Sequence, residues 1–137
     1  EYKNFQKIEI GKAVCLKTGT QKAILSTGTI GKNVTEALQV LNNPVTIAHY
    51  HLGFIKPLDE NKLHEIFSQF ETIITLEDGV IQGGFGSSIV QFAAQHNYNK
   101  NIQILGVPDQ FIEHGTVAEL QKICKMDVDS IVELLKI

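Results

Sequence analysis

The sequence contains no arginine and no tryptophan, and only two of its 137 residues are cysteines. Arginine is the side chain that binds phosphate or carboxylate through two parallel hydrogen bonds, so a site of that kind is excluded within this chain. The two cysteines, Cys15 and Cys124, are too few for a disulfide framework or a cysteine-rich zinc site. We expect them to be a buried, reduced pair, as is usual in the cytosol.

Positive charge and long apolar runs are also scarce. Twelve lysines against 15 acidic residues give a formal net charge of −3, which excludes nucleic-acid binding driven by bulk positive charge. No apolar run approaches the ~20 residues of a membrane span, and the first residues have no signal-peptide pattern. We therefore expect no nucleic-acid partner, no membrane partner and a cytoplasmic location.

The hydrophobic fraction of 43% and the charged fraction of 20% are typical of a globular domain. A chain of this length has room for one domain. Because the sequence does not begin with methionine, we interpret residues 1–137 as a single domain cut from a longer protein.

Short apolar runs alternate with segments of helical periodicity. The expected strands are residues 12–16, a strand from 23, then 45–50, 72–76 and 102–107. Four of the five expected helices have predicted capping residues at their starts, and the remaining helix covers 87–95. These caps are Asn33 with Glu36, Asp59, Thr116 with Glu119, and Asp127.

The alternation of strands and helices predicts a mostly parallel sheet with helices on both faces, a three-layer α/β/α sandwich. The first strand joins the second through the polar turn 17–20 and can pair with it in the antiparallel sense. In such sheets, ligands lie outside the carboxyl ends of the strands. That edge collects residues 26–28, 51–53, 77–79 and 108–109, and we expect function to concentrate there.

A glycine-rich loop connects the strand ending near residue 76 to the apolar helix. Its glycines Gly83, Gly84 and Gly86 would let a phosphate approach the helix amino end. The loop lacks the lysine of a P-loop, and the upstream pair Glu77 and Asp78 would repel an anion. We favour the alternative in which the glycines allow tight turning and close packing, and one of the two acidic residues caps the turn.

Histidines and nucleophiles offer a second set of candidates. His49 and His51 point to one face of a strand, as a zinc-binding pair would, with His114 as a third ligand. We favour solvated or hydrogen-bonded histidines. The possible nucleophiles lack the G-x-S-x-G elbow or a recognisable histidine and acid. These are Ser26, Ser87 and Cys15.

Five motifs occur in order: Leu25–Thr29, Phe54–Asp59, Thr75–Gly79, Gly83–Ser87 and Leu105–Gly115. Together they resemble the carboxyl-terminal, transketolase-type domain of 1-deoxy-D-xylulose-5-phosphate synthase, over essentially the whole chain. The last motif is the one most specific to this synthase. The resemblance implies a five-stranded mixed sheet whose first strand runs antiparallel.

For the full-length enzyme, the resemblance implies a transferase that condenses pyruvate with glyceraldehyde 3-phosphate, using thiamine diphosphate and Mg²⁺. Its product feeds isoprenoid, thiamine and pyridoxal phosphate synthesis. In this family the catalytic and cofactor-binding residues lie in two upstream domains, so we assign none here. We expect the isolated chain to be inactive, to bind no cofactor, and to support domain packing and a homodimer.

Two alternatives remain open. In the first alternative, the chain is the equivalent domain of another thiamine enzyme, either a transketolase or a pyruvate dehydrogenase beta subunit. In the second, it is a stand-alone binding or regulatory module of the same fold. One departure bears on this choice: family members commonly have a phosphate-binding arginine where this sequence has Gly53, and Lys56 nearby offers only a point charge. The candidate edge or interface positions are Gly53, Lys56, Glu77, Asp78, Gly83, Gly84, Gly86, Asp109 and His114.

Overall fold

The computed structural model describes residues 7–42 and 44–136. Within these residues, five strands form one sheet: β1 (Ala13–Lys17), β2 (Lys22–Ser26), β3 (Ile47–Leu52), β4 (Thr72–Val80) and β5 (Asn101–Val107). Five helices accompany them: α1 (Gly31–Val40), α2 (Glu60–Gln69), α3 (Phe85–Gln95), α4 (Val117–Ile123) and α5 (Val128–Lys136). In this part of the chain, none of the helices is long and apolar enough to cross a membrane.

The strand order is β1-β3-β2-β4-β5, with β2, β3, β4 and β5 parallel and β1 antiparallel. This confirms the mixed five-stranded sheet. The expected partner of β1 is wrong, however, because β1 pairs with β3 and not with β2. Both edges of β2 are taken by β3 and β4, and β1 pairs instead along the outer edge of β3.

The turn between β1 and β2 shows how the chain reaches that position. It passes over the start of β3 so closely that a Cβ atom on Gly19 would lie 2.2 Å from the Ala48 backbone nitrogen. The Lys17 ammonium fixes this crossing by donating to the Pro44 and Ile47 carbonyl oxygens, at 2.6 and 2.9 Å. Only glycine fits where two backbones approach so closely.

Apolar side chains cover both faces of the sheet, which confirms the three-layer sandwich. On one face, Phe67 of α2, Phe70 just after α2 and Phe92 of α3 pack against the strands. On the other, α1 and α5 pack residues such as Leu38 and Ile131 against them. The central strands are therefore buried on both sides, as their continuous apolar runs predict.

Three helix starts follow the sequence prediction. Asp59 precedes α2 and accepts a hydrogen bond from the Lys62 backbone nitrogen. Thr116 and Glu119 form a reciprocal capping box before α4, and Asp127 accepts hydrogen bonds from the Ser130 backbone nitrogen and hydroxyl before α5. Each cap satisfies an otherwise unpaired amide in the first helical turn.

Asn33 and Ser87 do not mark helix starts, contrary to the prediction. Helix α1 begins earlier, at Gly31, and α3 begins at Phe85. The Asn33 side chain instead donates to the Gln121 side-chain oxygen at 3.0 Å and to the Met126 carbonyl oxygen at 2.8 Å. It therefore ties α1 both to α4 and to the connection between α4 and α5, a tertiary contact that local spacing does not show.

The two cysteines are free, but they do not form a buried pair. Cys15 is exposed and Cys124 is half-buried. Cys15 lies on β1, the outer strand of the sheet, whose residues are covered far less than those of the central strands. The prediction of burial was therefore wrong for Cys15.

Candidate functional site

The carboxyl ends of the parallel strands meet at one edge of the sheet, and Thr27 fastens three of them together. Its hydroxyl donates to the Leu52 carbonyl oxygen at the end of β3, at 2.8 Å. Its backbone nitrogen donates to the Leu76 carbonyl oxygen in β4, at 3.1 Å. These two bonds hold the ends of β2, β3 and β4 together, and the Thr27 hydroxyl is already bonded within the protein.

Glu77 is buried at this edge, with 5% of its surface exposed. Its two carboxylate oxygens accept hydrogen bonds from the first backbone amides of α3, Phe85 N at 2.8 Å and Gly86 N at 2.9 Å. This confirms the prediction that one of the two acidic residues caps the glycine-rich turn. The carboxylate occupies the position at the helix amino end where a phosphate would bind.

The glycines of this loop make room for the carboxylate and for the neighbouring strand. A Cβ atom on Gly84 would lie 2.2 Å from a Glu77 carboxylate oxygen, and one on Gly86 would lie 2.5 Å from Ile104 Cγ2. Gly83 has a φ of +73°, a conformation that favours glycine. These distances support the packing interpretation of the loop over the phosphate-binding one.

The remaining acidic and histidine candidates lie apart from this cap. Asp78 is exposed, next to the buried Glu77, and lines a cavity of about 200 Å³ with Ile112 and Leu120. Asp109 and His114 are also exposed. Among the residues that the structure describes, no hydrogen bond or ion pair joins Asp109 or His114 to the other candidates.

His49 and His51 point to the same face, as predicted, and Ser26 lies between them. The Ser26 hydroxyl is 2.8 Å from His49 Nε2 and 3.3 Å from His51 Nδ1. Burial, and secondarily the neighbouring His51, lower the pKa of His49 from 6.5 to about 4. The favoured interpretation of hydrogen-bonded histidines is supported. Ser26 is fully buried, so a substrate has no access to it as a nucleophile.

Metal ligation at these histidines finds no support in the geometry. In residues 7–42 and 44–136, no group of three histidine, cysteine, aspartate or glutamate side chains is arranged to hold a metal ion. The predicted third ligand, His114, lies in the exposed segment before α4. The sequence indicated the shared face of the two histidines, but the bridging serine depends on the register of β2 against β3, which places Ser26 opposite His51.

Gly53 and Lys56 follow the end of β3, where the protein surface is open. Gly53 is exposed, and a Cβ atom built on it would meet nothing within 4 Å. The exposed Lys56 lines a shallow groove of about 570 Å³ between the segment around Pro57 and helix α3. A larger side chain at position 53 therefore has space, and packing does not explain the glycine.

Comparison with known proteins agrees with the fold. The profile of the family described as "Transketolase, C-terminal domain" matches residues 11–131. A split-gene transketolase, described as an inactive β4 tetramer, superimposes with a TM-score of 0.84 at 23% identity, covering 96% of this chain and 43% of that chain. Transketolase from Campylobacter jejuni gives a TM-score of 0.66 at 14% identity, over 96% of this chain and 19% of that chain.

The curated relatives include proteins named 1-deoxy-D-xylulose-5-phosphate synthase. The one from Phocaeicola vulgatus is 48% identical over 134 residues, covering 95% of this chain and 21% of that protein. The one from Parabacteroides distasonis is 46% identical over 132 residues, covering 96% and 21%. The chain thus spans about a fifth of the length of these relatives. On the strength of the family profile and the matching fold, the chain belongs to the transketolase C-terminal domain family.

Proposed function

We propose that this chain is the C-terminal domain of a 1-deoxy-D-xylulose-5-phosphate synthase, a transferase that joins pyruvate to glyceraldehyde 3-phosphate. The observation that carries the proposal is the identity of 46–48% over 95–96% of the chain with synthases of that name. The transketolase structures share the fold at only 14–23% identity. This difference favours the synthase over the equivalent domain of a transketolase.

The chain's own residues do not fit thiamine diphosphate and its magnesium ion. The amides at the start of α3, which suit a diphosphate, are already bonded to the Glu77 carboxylate. The sequence has no arginine, and the described residues offer no three-ligand group for a metal ion. We therefore place the cofactor and the chemistry elsewhere in the longer protein, and we expect no cofactor to bind this domain.

The domain's contribution, in this proposal, is structural. It folds as one unit and presents a fixed sheet edge, whose internal hydrogen bonds at Thr27 and Glu77 hold the strand ends and α3 in place. The exposed positions at that edge, such as Gly53, Lys56 and Asp109, then face the remainder of the enzyme. A homodimer in the cytoplasm completes the proposal.

A domain exchange tests the assignment. This chain would replace the matching 132-residue segment of the Parabacteroides distasonis synthase, and formation of 1-deoxyxylulose 5-phosphate would be measured. We expect an active chimera. A matched chimera carrying the corresponding domain of Campylobacter jejuni transketolase should be inactive. A folded chimera with this chain and no activity would contradict the proposal.

Calorimetry tests the position of the cofactor independently. Titration of thiamine diphosphate and Mg²⁺ into the 137-residue chain should give no heat of binding, because the amides at the start of α3 are already bonded to the Glu77 carboxylate. Micromolar affinity would show that the cofactor contacts this domain, even if the chimera is active.

A further inference from the structure

A cluster of two histidines and three aromatic rings lies where α2 packs against the end of α3, outside the carboxyl edge. The ring centroids of His64 and His96 are 4.5 Å apart, with their planes at 80°. Both rings rest on Phe92, which is 3% exposed, at centroid distances of 5.0 and 4.5 Å. The two imidazoles therefore meet edge to face, and both contact the buried Phe92 ring.

The hydrogen bond of His64 suits a metal ligand. Its Nδ1 lies 2.8 Å from the Tyr98 hydroxyl oxygen. When Nδ1–H donates to that oxygen, the ring orientation is fixed and the lone pair remains on Nε2. Histidines that bind metals usually have a hydrogen-bond partner of this kind on their second nitrogen. Tyr98 is itself held in place by stacking against Phe67, at a centroid distance of 5.0 Å.

The separation of the rings also agrees with shared ligation. With Zn–N bonds of about 2.0–2.1 Å, two imidazoles on one ion at about 90–110° have centroids roughly 4.5–5.2 Å apart. The observed 4.5 Å lies at the short end of this range. His96 is the C-cap residue of α3, and the negative end of the helix dipole favours a cation there.

We propose that His64 and His96 form a binding site for a divalent transition-metal ion such as Zn²⁺, Ni²⁺ or Cu²⁺. The two ring nitrogens are the protein ligands, and water completes the coordination, because the described residues contribute no third histidine, cysteine or carboxylate. Imidazole selects these ions over Mg²⁺, which takes oxygen ligands. The site is thus distinct from any magnesium used with thiamine diphosphate.

Calorimetric titration with ZnCl₂ tests the site, in a Cys15→Ser, Cys124→Ser background so that free thiols contribute nothing. We expect Zn²⁺ to bind and Mg²⁺ not to bind. His96→Ala, at an exposed position, should weaken Zn²⁺ at least tenfold. Tyr98→Phe keeps the stacking but loses the hydroxyl, and should weaken binding about 10–100-fold. His114→Ala, at another exposed histidine, is the matched control and should change nothing.

NMR identifies the histidines that bind the ion, independently of calorimetry. Zn²⁺ should shift the ring signals of His64 and His96 and leave those of His51 and His114 unchanged. Unaltered Zn²⁺ affinity in His96→Ala would overturn the proposal. So would the absence of Zn²⁺ binding to the background protein, or an equal loss of affinity in His114→Ala or in His51→Ala.

Discussion

Replacing Glu77 by glutamine is the sharpest test of how the glycine-rich turn is held. The substitution keeps the size and shape of the side chain but removes its charge. In the native protein both carboxylate oxygens accept hydrogen bonds, from Phe85 N at 2.8 Å and Gly86 N at 2.9 Å. Glutamine has one acceptor oxygen, and its amide group must face the second backbone amide.

The expected cost follows from this geometry. A hydrogen bond to a charged group contributes about 1.5–3 kcal/mol, and a buried amide left without an acceptor costs about 1–3 kcal/mol. Loss of the negative charge near the positive end of the α3 dipole contributes a further destabilisation of at most ~2 kcal/mol in a buried site. Because partial relaxation offsets some of these terms, we expect Glu77→Gln to lower the free energy of unfolding by about 2–4 kcal/mol.

Urea unfolding at pH 7, followed by circular dichroism, measures this change. The matched control is Asp78→Asn at the adjacent, exposed carboxylate, which should stay within about 0.5 kcal/mol of the native chain. The two variants should show the same denaturant slope, since both leave the folded surface intact. Equal stabilities for the two variants would refute the capping role of Glu77.

Three further outcomes follow from the structure. The pKa of His49 falls from 6.5 to about 4 on folding, so the unfolded chain binds a proton at a higher pH than the folded one, and the free energy of unfolding should fall by about 3 kcal/mol between pH values above 6.5 and pH 4. His49→Gln should remove this pH dependence, as measured by urea unfolding at each pH. Gly86→Ala should destabilise by about 1–3 kcal/mol, because its Cβ would lie 2.5 Å from Ile104 Cγ2 and 2.6 Å from Thr75 Oγ1; thermal unfolding that matches the native chain would contradict this. Gly53→Arg should change the free energy of unfolding by less than about 0.5 kcal/mol. In a full-length synthase carrying this domain, it should lower the KM for glyceraldehyde 3-phosphate and leave the KM for pyruvate unaltered; an unchanged KM for glyceraldehyde 3-phosphate would show that the phosphate is held elsewhere.

Local patterns predicted most of the fold because the relevant contacts are local. The caps Asp59, Thr116 and Asp127 act within one helical turn, and the apolar strands show directly that both faces of the sheet are covered. The errors concern long-range contacts. The partner of β1 depends on which edge of the sheet is free, and Asn33 bonds residues 88 and 93 positions away.

The candidate site was predictable to a similar extent. The acidic pair before the glycine-rich turn predicts that Glu77 or Asp78 caps it, and the structure shows that Glu77 does so. The bridge from Ser26 to His49 and His51 needs the register of two strands. His64 and His96 are 32 residues apart in the sequence, and they meet only because α2 packs beside the end of α3. No sequence pattern indicates this contact.

The internal hydrogen bonds of the carboxyl edge explain why this domain carries no chemistry of its own in our proposal. The Thr27 hydroxyl is bonded to a strand end, the Ser26 hydroxyl to two histidines, and the Glu77 carboxylate to α3. A polar group already satisfied inside the protein gains little by turning to a ligand. The surface that remains for contact is the exposed one, at Gly53 and around Asp109. Differences in substrate handling among such enzymes should therefore follow substitutions at these exposed positions, and substitutions at the buried polar residues should change stability instead.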